Sequence, residues 1–196
     1  MIRIAILASG AGTTAEAVIT ACRDGRILGR VVTLIGNNSR SEVFARARRL
    51  DVVTRHLSGR THPDPAALDT AILDTVTAAE ATHIVLAGYL KKLGPRTLAA
   101  YTGRILNTHP ALLPEFGGQG MYGRHVHEAV LRSGAATTGA TVHHVEAEYD
   151  TGPAIARTTI AVLPDDTADR LAERVQRAER ELLVRTLADI AERTSP

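Results

Sequence analysis

The chain has 196 residues and a mass of 20.9 kDa, and 44% of its residues are hydrophobic and 22% charged. These values predict one folded domain with a hydrophobic core and exclude a disordered, collagen-like or disulfide-stapled chain. No run of about 18 apolar residues is present, so we expect no membrane span. The single cysteine, Cys22, allows no intrachain disulfide, and the N-terminus lacks a secretory pattern. We therefore expect a cytoplasmic protein.

The charge pattern argues against nucleic-acid binding. The formal net charge is +2 and the isoelectric point is about 9.0, and 21 of the 23 basic residues are arginines scattered along the chain. The only adjacent lysines are Lys91 and Lys92, and only six aromatic residues are present. Nucleic-acid binding favours a clustered basic patch. We therefore expect neither a nucleic acid nor a membrane as partner.

Strands and helices alternate in the first part of the chain. The pattern predicts strands at 2–8, 30–35, 52–57, 83–87 and 103–106, with helices at 13–23, 42–50, 66–80 and 95–100. Nearly continuous apolar strands are typical of a parallel sheet that is buried on both faces.

The pattern changes after a loop at 110–122. A helix is predicted at 124–132, and strands at 138–145 and 154–162 are close enough to pair antiparallel. A long amphipathic helix follows at 166–193. The predicted fold is α/β: a Rossmann-like open, twisted, mostly parallel sheet flanked by helices, with an antiparallel β-rich C-terminal part and a long final helix. No repeat or linker is present, so we expect a single domain over 1–196.

The turn after the first strand is a candidate phosphate site. Gly10 and Gly12 permit close backbone approach, and the following helix N-terminus offers free N–H groups. The alternative is a plain strand–helix turn capped by Thr13. A nicotinamide cofactor is disfavoured, because Asn37 and Asn38 stand where such sites carry an acidic residue.

Asn107 and His109 form the second candidate site. They follow a predicted strand, and residues two apart on an extended backbone point to the same side. The alternative is that His109 is only structural.

Asp150 lies in an Asp-x-Gly-Pro sequence and forms the third candidate. The alternative is that it only shapes a turn. In the functional interpretation its carboxylate pairs with His109 and favours the imidazolium. An amide and an imidazolium together suit a developing oxyanion.

These segments resemble the folate-dependent formyltransferases over nearly the whole chain. The resemblance is carried by 7–13, 85–90, Asn107-x-His109-Pro110-x-Leu112-Leu113-Pro114, 117–123 and Asp150-x-Gly152-Pro153. It implies formyl transfer from 10-formyltetrahydrofolate to a primary amine, foremost that of glycinamide ribonucleotide in purine biosynthesis. It also implies a direct transfer, without an acyl-enzyme or a metal.

The resemblance assigns roles to particular residues. It implies that Asn107, His109 and Asp150 are catalytic. For the phosphorylated amine it implies phosphate binding by Gly12, Thr13 and Thr14, close approach at Gly88, and ribose binding by Glu179. For the folate it implies contacts with Leu90, Lys92 and Leu93 and with the segment 146–150, including Glu146, Ala147 and Tyr149. The half 1–106 would bind phosphate, and the half 107–196 would hold catalysis and the folate.

Several positions depart from the family's usual pattern. Thr13-Thr14 replaces Ser-Asn at the phosphate turn, and His62-Pro63-Asp64-Pro65 lacks a usual Arg-Glu pair. Lys92 replaces an apolar residue, and Arg180 follows Glu179 where a histidine is usual.

These departures favour one alternative, a paralogue that formylates another amine. Two alternatives belong to other classes of protein. A nucleotide- or folate-binding module without catalysis is disfavoured by the presence of Asn107, His109 and Asp150, and an NAD-dependent oxidoreductase by the missing acidic residue after the second strand. For His125 and His127, contact with a ligand is one alternative; because surface histidines on a helix are more often incidental, we expect them to be so. The expected oligomeric state is a monomer or a homodimer.

Overall fold

The computed structural model describes residues 1–194, which form seven strands and six helices. The predicted range 1–196 includes residues 195 and 196, which lie outside the described residues. The strands are β1 (Ile2–Ala8), β2 (Gly29–Gly36), β3 (Thr54–His56), β4 (His83–Leu86), β5 (Ile105–His109), β6 (Thr137–His144) and β7 (Ala154–Ala161). The helices are α1 (Thr13–Arg23), α2 (Val43–Arg49), α3 (Pro65–Ala78), α4 (Pro95–Ala100), α5 (Arg124–Ser133) and α6 (Ala168–Thr194).

All seven strands belong to one sheet with the order β3-β2-β1-β4-β5-β6-β7. Strands β1 to β5 pair in parallel, and β6 and β7 are antiparallel to their neighbours. The strand order reverses between β1 and β4, and ligands of open α/β sheets bind at the carboxyl ends beside such a point. The predicted fold class is confirmed, and its switch point brings the turn after β1 next to the ends of β4 and β5.

Alternate side chains of β1 belong to two hydrophobic layers. Ile4 and Ile6 pack on one face with residues of α1, α2 and α6, whereas Ala5 and Leu7 pack on the other with residues of α3. All four side chains are fully buried, and burial of an Ile or Leu side chain stabilises the fold by about 1.5–3 kcal/mol. The strand that carries the candidate phosphate turn is therefore held firmly on both faces.

Two strand predictions differ in extent from the structure. Strand β3 covers only Thr54–His56 at the sheet edge, rather than 52–57. Strand β5 covers Ile105–His109 rather than 103–106, because its last residues pair with the antiparallel β6. Asn107 and His109 therefore lie on extended backbone, with both side chains on the same side of the strand.

Helix α6 is 27 residues long, but charged residues recur along it. Within residues 1–194, no helix is both long and apolar enough to cross a membrane.

Candidate active site

A cleft of about 840 Å³ opens at the carboxyl ends of β1, β4 and β5. Its walls come from the turn 10–14, residues 87–90 and 107–110, loop 118–123, and part of α6. A smaller cavity of about 40 Å³ adjoins it. Four residues line both spaces: Tyr89, Asn107, Tyr149 and Asp150. The predicted catalytic segments thus meet where the cleft and the smaller cavity join.

The turn after β1 exposes backbone donors at the N-terminus of α1. Gly12 occupies the N-cap position with a φ of 83°, and no side chain caps the helix. The alternative in which Thr13 caps the helix is therefore wrong. The first helical N–H with a partner in this turn is that of Glu16, which donates to the Gly12 carbonyl. The preceding N–H groups and the helix dipole suit a phosphate.

Gly12 also permits a close approach between α1 and α2. A Cβ atom built at this position would lie 2.4 Å from Val43 Cγ2 and 2.8 Å from Val43 Cα. A side chain here would need both a left-handed backbone and a displaced helix. The geometry of the turn therefore depends on glycine.

His109 is buried between two oxygen acceptors. Its Nδ1 lies 3.3 Å from Asp150 Oδ2, and its Nε2 donates to the Phe116 carbonyl at 2.7 Å. Only a doubly protonated ring donates to both oxygens. Burial nevertheless lowers the pKa of His109, with His143 acting in the same direction, while Asp150 and the Phe116 carbonyl act in the opposite direction. The pKa of His109 therefore lies below its ordinary value, although Asp150 alone would raise it.

Asp150 is held by groups from three segments. Its Oδ2 accepts from the Gly118 N–H at 2.9 Å, and its Oδ1 lies 3.5 Å from His143 Nε2. Burial raises the pKa of this carboxyl, but the neighbouring His143 and His109 and the Gly118 N–H outweigh that effect, so the pKa lies below its usual value. Asp150 is therefore ionised near neutral pH.

His143 belongs to this cluster although the sequence did not identify it. It pairs with Asn107 across β5 and β6, and Asn107 Nδ2 lies 3.1 Å from its Nε2. Its Nδ1 donates to the His144 carbonyl at 2.8 Å. In the neutral ring Nε2 then accepts from one N–H of the Asn107 amide, which leaves the second N–H for a ligand. The register of β5 on β6 would have revealed it, but that register is not readable from the sequence.

All five predicted acceptor-binding residues line the main cleft: Gly12, Thr13, Thr14, Gly88 and Glu179. Glu179 is half-buried on α6, and the Thr108 hydroxyl donates to its Oε1. Burial raises the pKa of the Glu179 carboxyl, and Thr108 and Arg180 oppose that effect. Arg180 lines the same cleft.

The predicted folate-binding residues divide between the two spaces. Lys92, Leu93, Glu146, Ala147 and Tyr149 line the smaller cavity, whereas the half-exposed Leu90 lines the main cleft. Lys92 Nζ lies 2.7 Å from Glu148 Oε2 and 5.1 Å from the centre of the Tyr149 ring. Lys92 therefore lines this cavity with its ammonium group paired to Glu148.

The expectation of two incidental surface histidines holds for His125 and is wrong for His127. The His125 side chain is 68% exposed. His127 is 1% exposed, lines the cleft, and its Nδ1 has no hydrogen-bond partner among residues 1–194. Burial and the nearby His109 lower its pKa. Helical spacing separates the two rings, because His127 lies three residues before the buried Val130 and so on the same side of α5, whereas His125 does not.

The cleft offers no cysteine nucleophile. Cys22 is partly buried against the core, and burial together with the charge of Asp24 raises its pKa to about 11. No cluster of three or more His, Cys, Asp or Glu side chains in the described part of the chain is arranged to hold a metal ion.

Comparisons with known proteins identify the family of the chain. A family model described as formyl transferase matches residues 2–187. The phosphoribosylglycinamide formyltransferase of Mycobacterium tuberculosis (strain ATCC 25618 / H37Rv) is 38% identical over 190 residues, which cover 96% of this chain and 85% of that protein. The crystal structure of glycinamide ribonucleotide transformylase 1 from Symbiobacterium toebii superposes with a TM-score of 0.92 at 35% identity, covering 98% of this chain and 88% of that one.

A plant relative is longer than this chain. The chloroplastic phosphoribosylglycinamide formyltransferase of Arabidopsis thaliana is 37% identical over 192 residues, which cover 97% of this chain but 65% of that protein. The chain thus spans slightly less than two thirds of that relative. The match of the family model over nearly the whole chain nevertheless identifies it: the chain belongs to the formyl transferase family.

Proposed function

We propose that the chain transfers the formyl group of 10-formyltetrahydrofolate to the primary amine of glycinamide ribonucleotide, a reaction of purine biosynthesis. The observation that carries the proposal is the meeting of Asn107, His109 and Asp150 at the junction of two ligand spaces. The names of the relatives, which are glycinamide ribonucleotide transformylases or phosphoribosylglycinamide formyltransferases, support the choice of acceptor.

The main cleft suits the acceptor. The phosphate lies at the N-terminus of α1, where the backbone N–H groups of Thr13 and Thr14 have no side-chain cap. The Glu179 carboxylate accepts hydrogen bonds from ribose hydroxyls. Gly88, whose φ of 69° favours glycine, leaves room for the acceptor beside β4. The amine then extends toward Asn107.

The smaller cavity marks the side of the site for the folate, and because its volume is about 40 Å³ the segment 146–150 must move outward to admit the folate ring. Leu93 contributes an apolar wall, and the segment 146–150 contributes backbone groups beside it. Leu90 contacts the folate from the main cleft, and Lys92 meets its anionic tail. Because both spaces share Asn107 and Asp150, the formyl carbon and the amine meet beside these side chains.

The amine attacks the formyl carbon, and the carbonyl electron pair moves to oxygen. Because burial lowers the pKa of His109, its ring takes up a proton from water when the substrates bind. The free N–H of the Asn107 amide and the protonated His109 then donate to this oxyanion. The bond from carbon to folate N10 then breaks as the carbonyl reforms, and N10 receives the proton that the amine loses. Asp150 stabilises the imidazolium and relays this proton through water. The products are the formamide and tetrahydrofolate.

This mechanism requires a movement of the loop that follows β5. His109 Nε2 donates to the Phe116 carbonyl at 2.7 Å, so this donor is already engaged. Loop 115–123, which contains four glycines, must withdraw that carbonyl when the substrates bind. The developing oxyanion then replaces the carbonyl as the acceptor.

The proposal also includes a cytoplasmic location and a monomeric or homodimeric state.

A turnover assay tests the proposal. Purified protein is incubated with 10-formyltetrahydrofolate and glycinamide ribonucleotide, and absorbance follows the formation of the folate product. We expect turnover that needs the acceptor and saturates with it. Matched reactions contain other phosphorylated amines, or the acceptor without its phosphate. Turnover with another amine alone would assign the chain to a paralogue, and binding of both ligands without turnover would make it a binding module.

A further inference from the structure

Thr108 lies between the two proposed oxyanion donors on β5. It is 7% exposed, and its backbone pairs with Val142 of β6. Its hydroxyl donates to Oε1 of Glu179, which lies 71 residues further along the chain on α6. All three consecutive residues, 107–109, line the main cleft. One short segment therefore contacts both the proposed reaction centre and the proposed acceptor-binding carboxylate.

We propose that Thr108 is a positioning residue that orients the Glu179 carboxylate toward the vicinal hydroxyl groups of the acceptor. The inference rests on the proposed function, since it concerns how the acceptor is held in that reaction. The contact involves no reacting atom, so Thr108 acts only through Glu179. Its loss would weaken acceptor binding rather than remove catalysis.

The hydrogen-bond capacity of Glu179 supports this role. A carboxylate presents two oxygens with about four acceptor positions. The Thr108 hydroxyl occupies one of them on Oε1, and it is the only hydrogen-bond donor to this carboxylate among residues 1–194. Oε2 and the remaining positions stay available to a pair of hydroxyl groups. A fixed carboxylate plane makes bidentate recognition of a diol selective, because both hydroxyls must reach it together.

The surroundings of Glu179 explain why one hydroxyl matters. Burial opposes the charged carboxylate, whereas Thr108 and the neighbouring Arg180 favour it. A hydrogen bond to a buried charged group contributes more than one between neutral groups. Without the hydroxyl, the glutamate would gain rotational freedom and hold its charge less strongly. Both changes act on the affinity for the acceptor.

The replacement Thr108→Val removes the hydroxyl at almost constant volume. We expect the KM for glycinamide ribonucleotide to rise about 10-fold, with kcat changed less than about 3-fold and the KM for 10-formyltetrahydrofolate unchanged. The acidic limb of the kcat/KM profile for the acceptor should move to higher pH, because the Glu179 pKa rises when the donor is lost. Thr108→Ser should restore both the KM and the profile.

A double-mutant cycle with Glu179→Gln isolates the contact. If Thr108 acts through Glu179, Thr108→Val should add little to the KM of the Glu179→Gln variant. The matched control is Thr33→Val, a buried threonine on β2 whose hydroxyl bonds to Val53 away from the cleft. This control should leave every kinetic parameter unchanged. If Thr108→Val does not fold, Thr108→Ala takes its place in the same cycle.

The outcomes separate this inference from the proposed function. Absence of turnover by the wild-type protein contradicts the proposed function itself. Wild-type turnover with an unchanged acceptor KM in the Thr108 variant overturns the positioning role alone. Fully additive effects of the Thr108 and Glu179 changes also overturn that role, and so does a loss of kcat that Thr108→Ser does not restore.

Discussion

The turn after β1 presents backbone groups to the cleft, whereas the cluster at the end of β5 presents side chains. At the turn, Gly12 bends the backbone and no side chain caps α1, so N–H groups face the cleft. At the cluster, the side chains of Asn107, His109 and Asp150 converge from β5 and a distant loop. We therefore expect the turn to tolerate changed side chains as long as the backbone keeps its path, and the cluster to depend on side-chain identity.

The departures from the family pattern follow this division. Thr13-Thr14 at the turn changes side chains but retains their N–H groups. The three side chains of the cluster match the family pattern without change. The division of roles between the halves 1–106 and 107–196 stays a prediction; both halves contribute strands to the same sheet.

The largest effect is expected at the cluster. Asp150→Asn keeps the size of the side chain. It removes the negative charge that stabilises a protonated His109 against the cost of burial. We expect kcat to fall by about 10²–10³, the range found when one oxyanion donor is lost. Steady-state turnover with glycinamide ribonucleotide measures the change, and the unfolding temperature checks the fold.

The matched control for this change is Asp165→Asn, an exposed carboxylate that pairs with Arg170. It should leave turnover unaffected. Near-normal turnover in folded Asp150→Asn would falsify the catalytic role of this carboxylate. It would also remove the difference between the two sites, because the cluster would then tolerate a changed side chain as the turn does.

The turn should instead fail through its backbone. In Gly12→Ala the added Cβ meets Val43 Cγ2 at 2.4 Å, and the φ of 83° is unfavourable for alanine. We expect a loss of about 2–3 kcal/mol in the free energy of unfolding, from overpacking and backbone strain. Gly10→Ala is the matched control, because its Cβ would meet nothing within 4 Å. Urea unfolding of both variants measures the difference; equal stabilities would show that the turn does not require glycine at residue 12.

The sequence predicted the elements well and the contacts between distant segments poorly. Apolar runs and turn residues located β1, α1 and α4 at their observed bounds. The sequence does not reveal the extension of β5 through His109, because that extension depends on pairing with β6, which begins 28 residues later. The place of His143 beside Asn107 depends on the same pairing. The clustering of Asn107, His109 and Asp150 was expected only from the functional pattern, since no local periodicity brings residue 150 to residue 109.

Buried histidines beside the cluster should make the stability depend on pH. Burial lowers the pKa of both His109 and His127, so the unfolded chain takes up protons that the folded chain resists. Stability is therefore fully present above the unfolded value of about 6.5 and falls as the pH decreases below it, by up to about 1.4 kcal/mol per pH unit for each ring.

His127→Gln tests the contribution of one ring. It should reduce the fall in unfolding free energy between about pH 7 and pH 5.5, whereas His125→Gln, a change of an exposed ring on the same helix, should not. Urea unfolding at both pH values gives the slopes. Identical slopes for the His127 variant and the wild type would show that this buried ring does not contribute.

The smallest effect is expected from side-chain removal at the turn. Thr13 is exposed, and we expect its N–H, not its hydroxyl, to meet the acceptor phosphate. Thr13→Ala should therefore change the acceptor KM by less than about 2-fold. Thr13→Pro removes the N–H at the first helical position, where proline is well tolerated, and should raise that KM about 10-fold. Equal KM values for the two variants would show that the Thr13 N–H does not bind the acceptor phosphate.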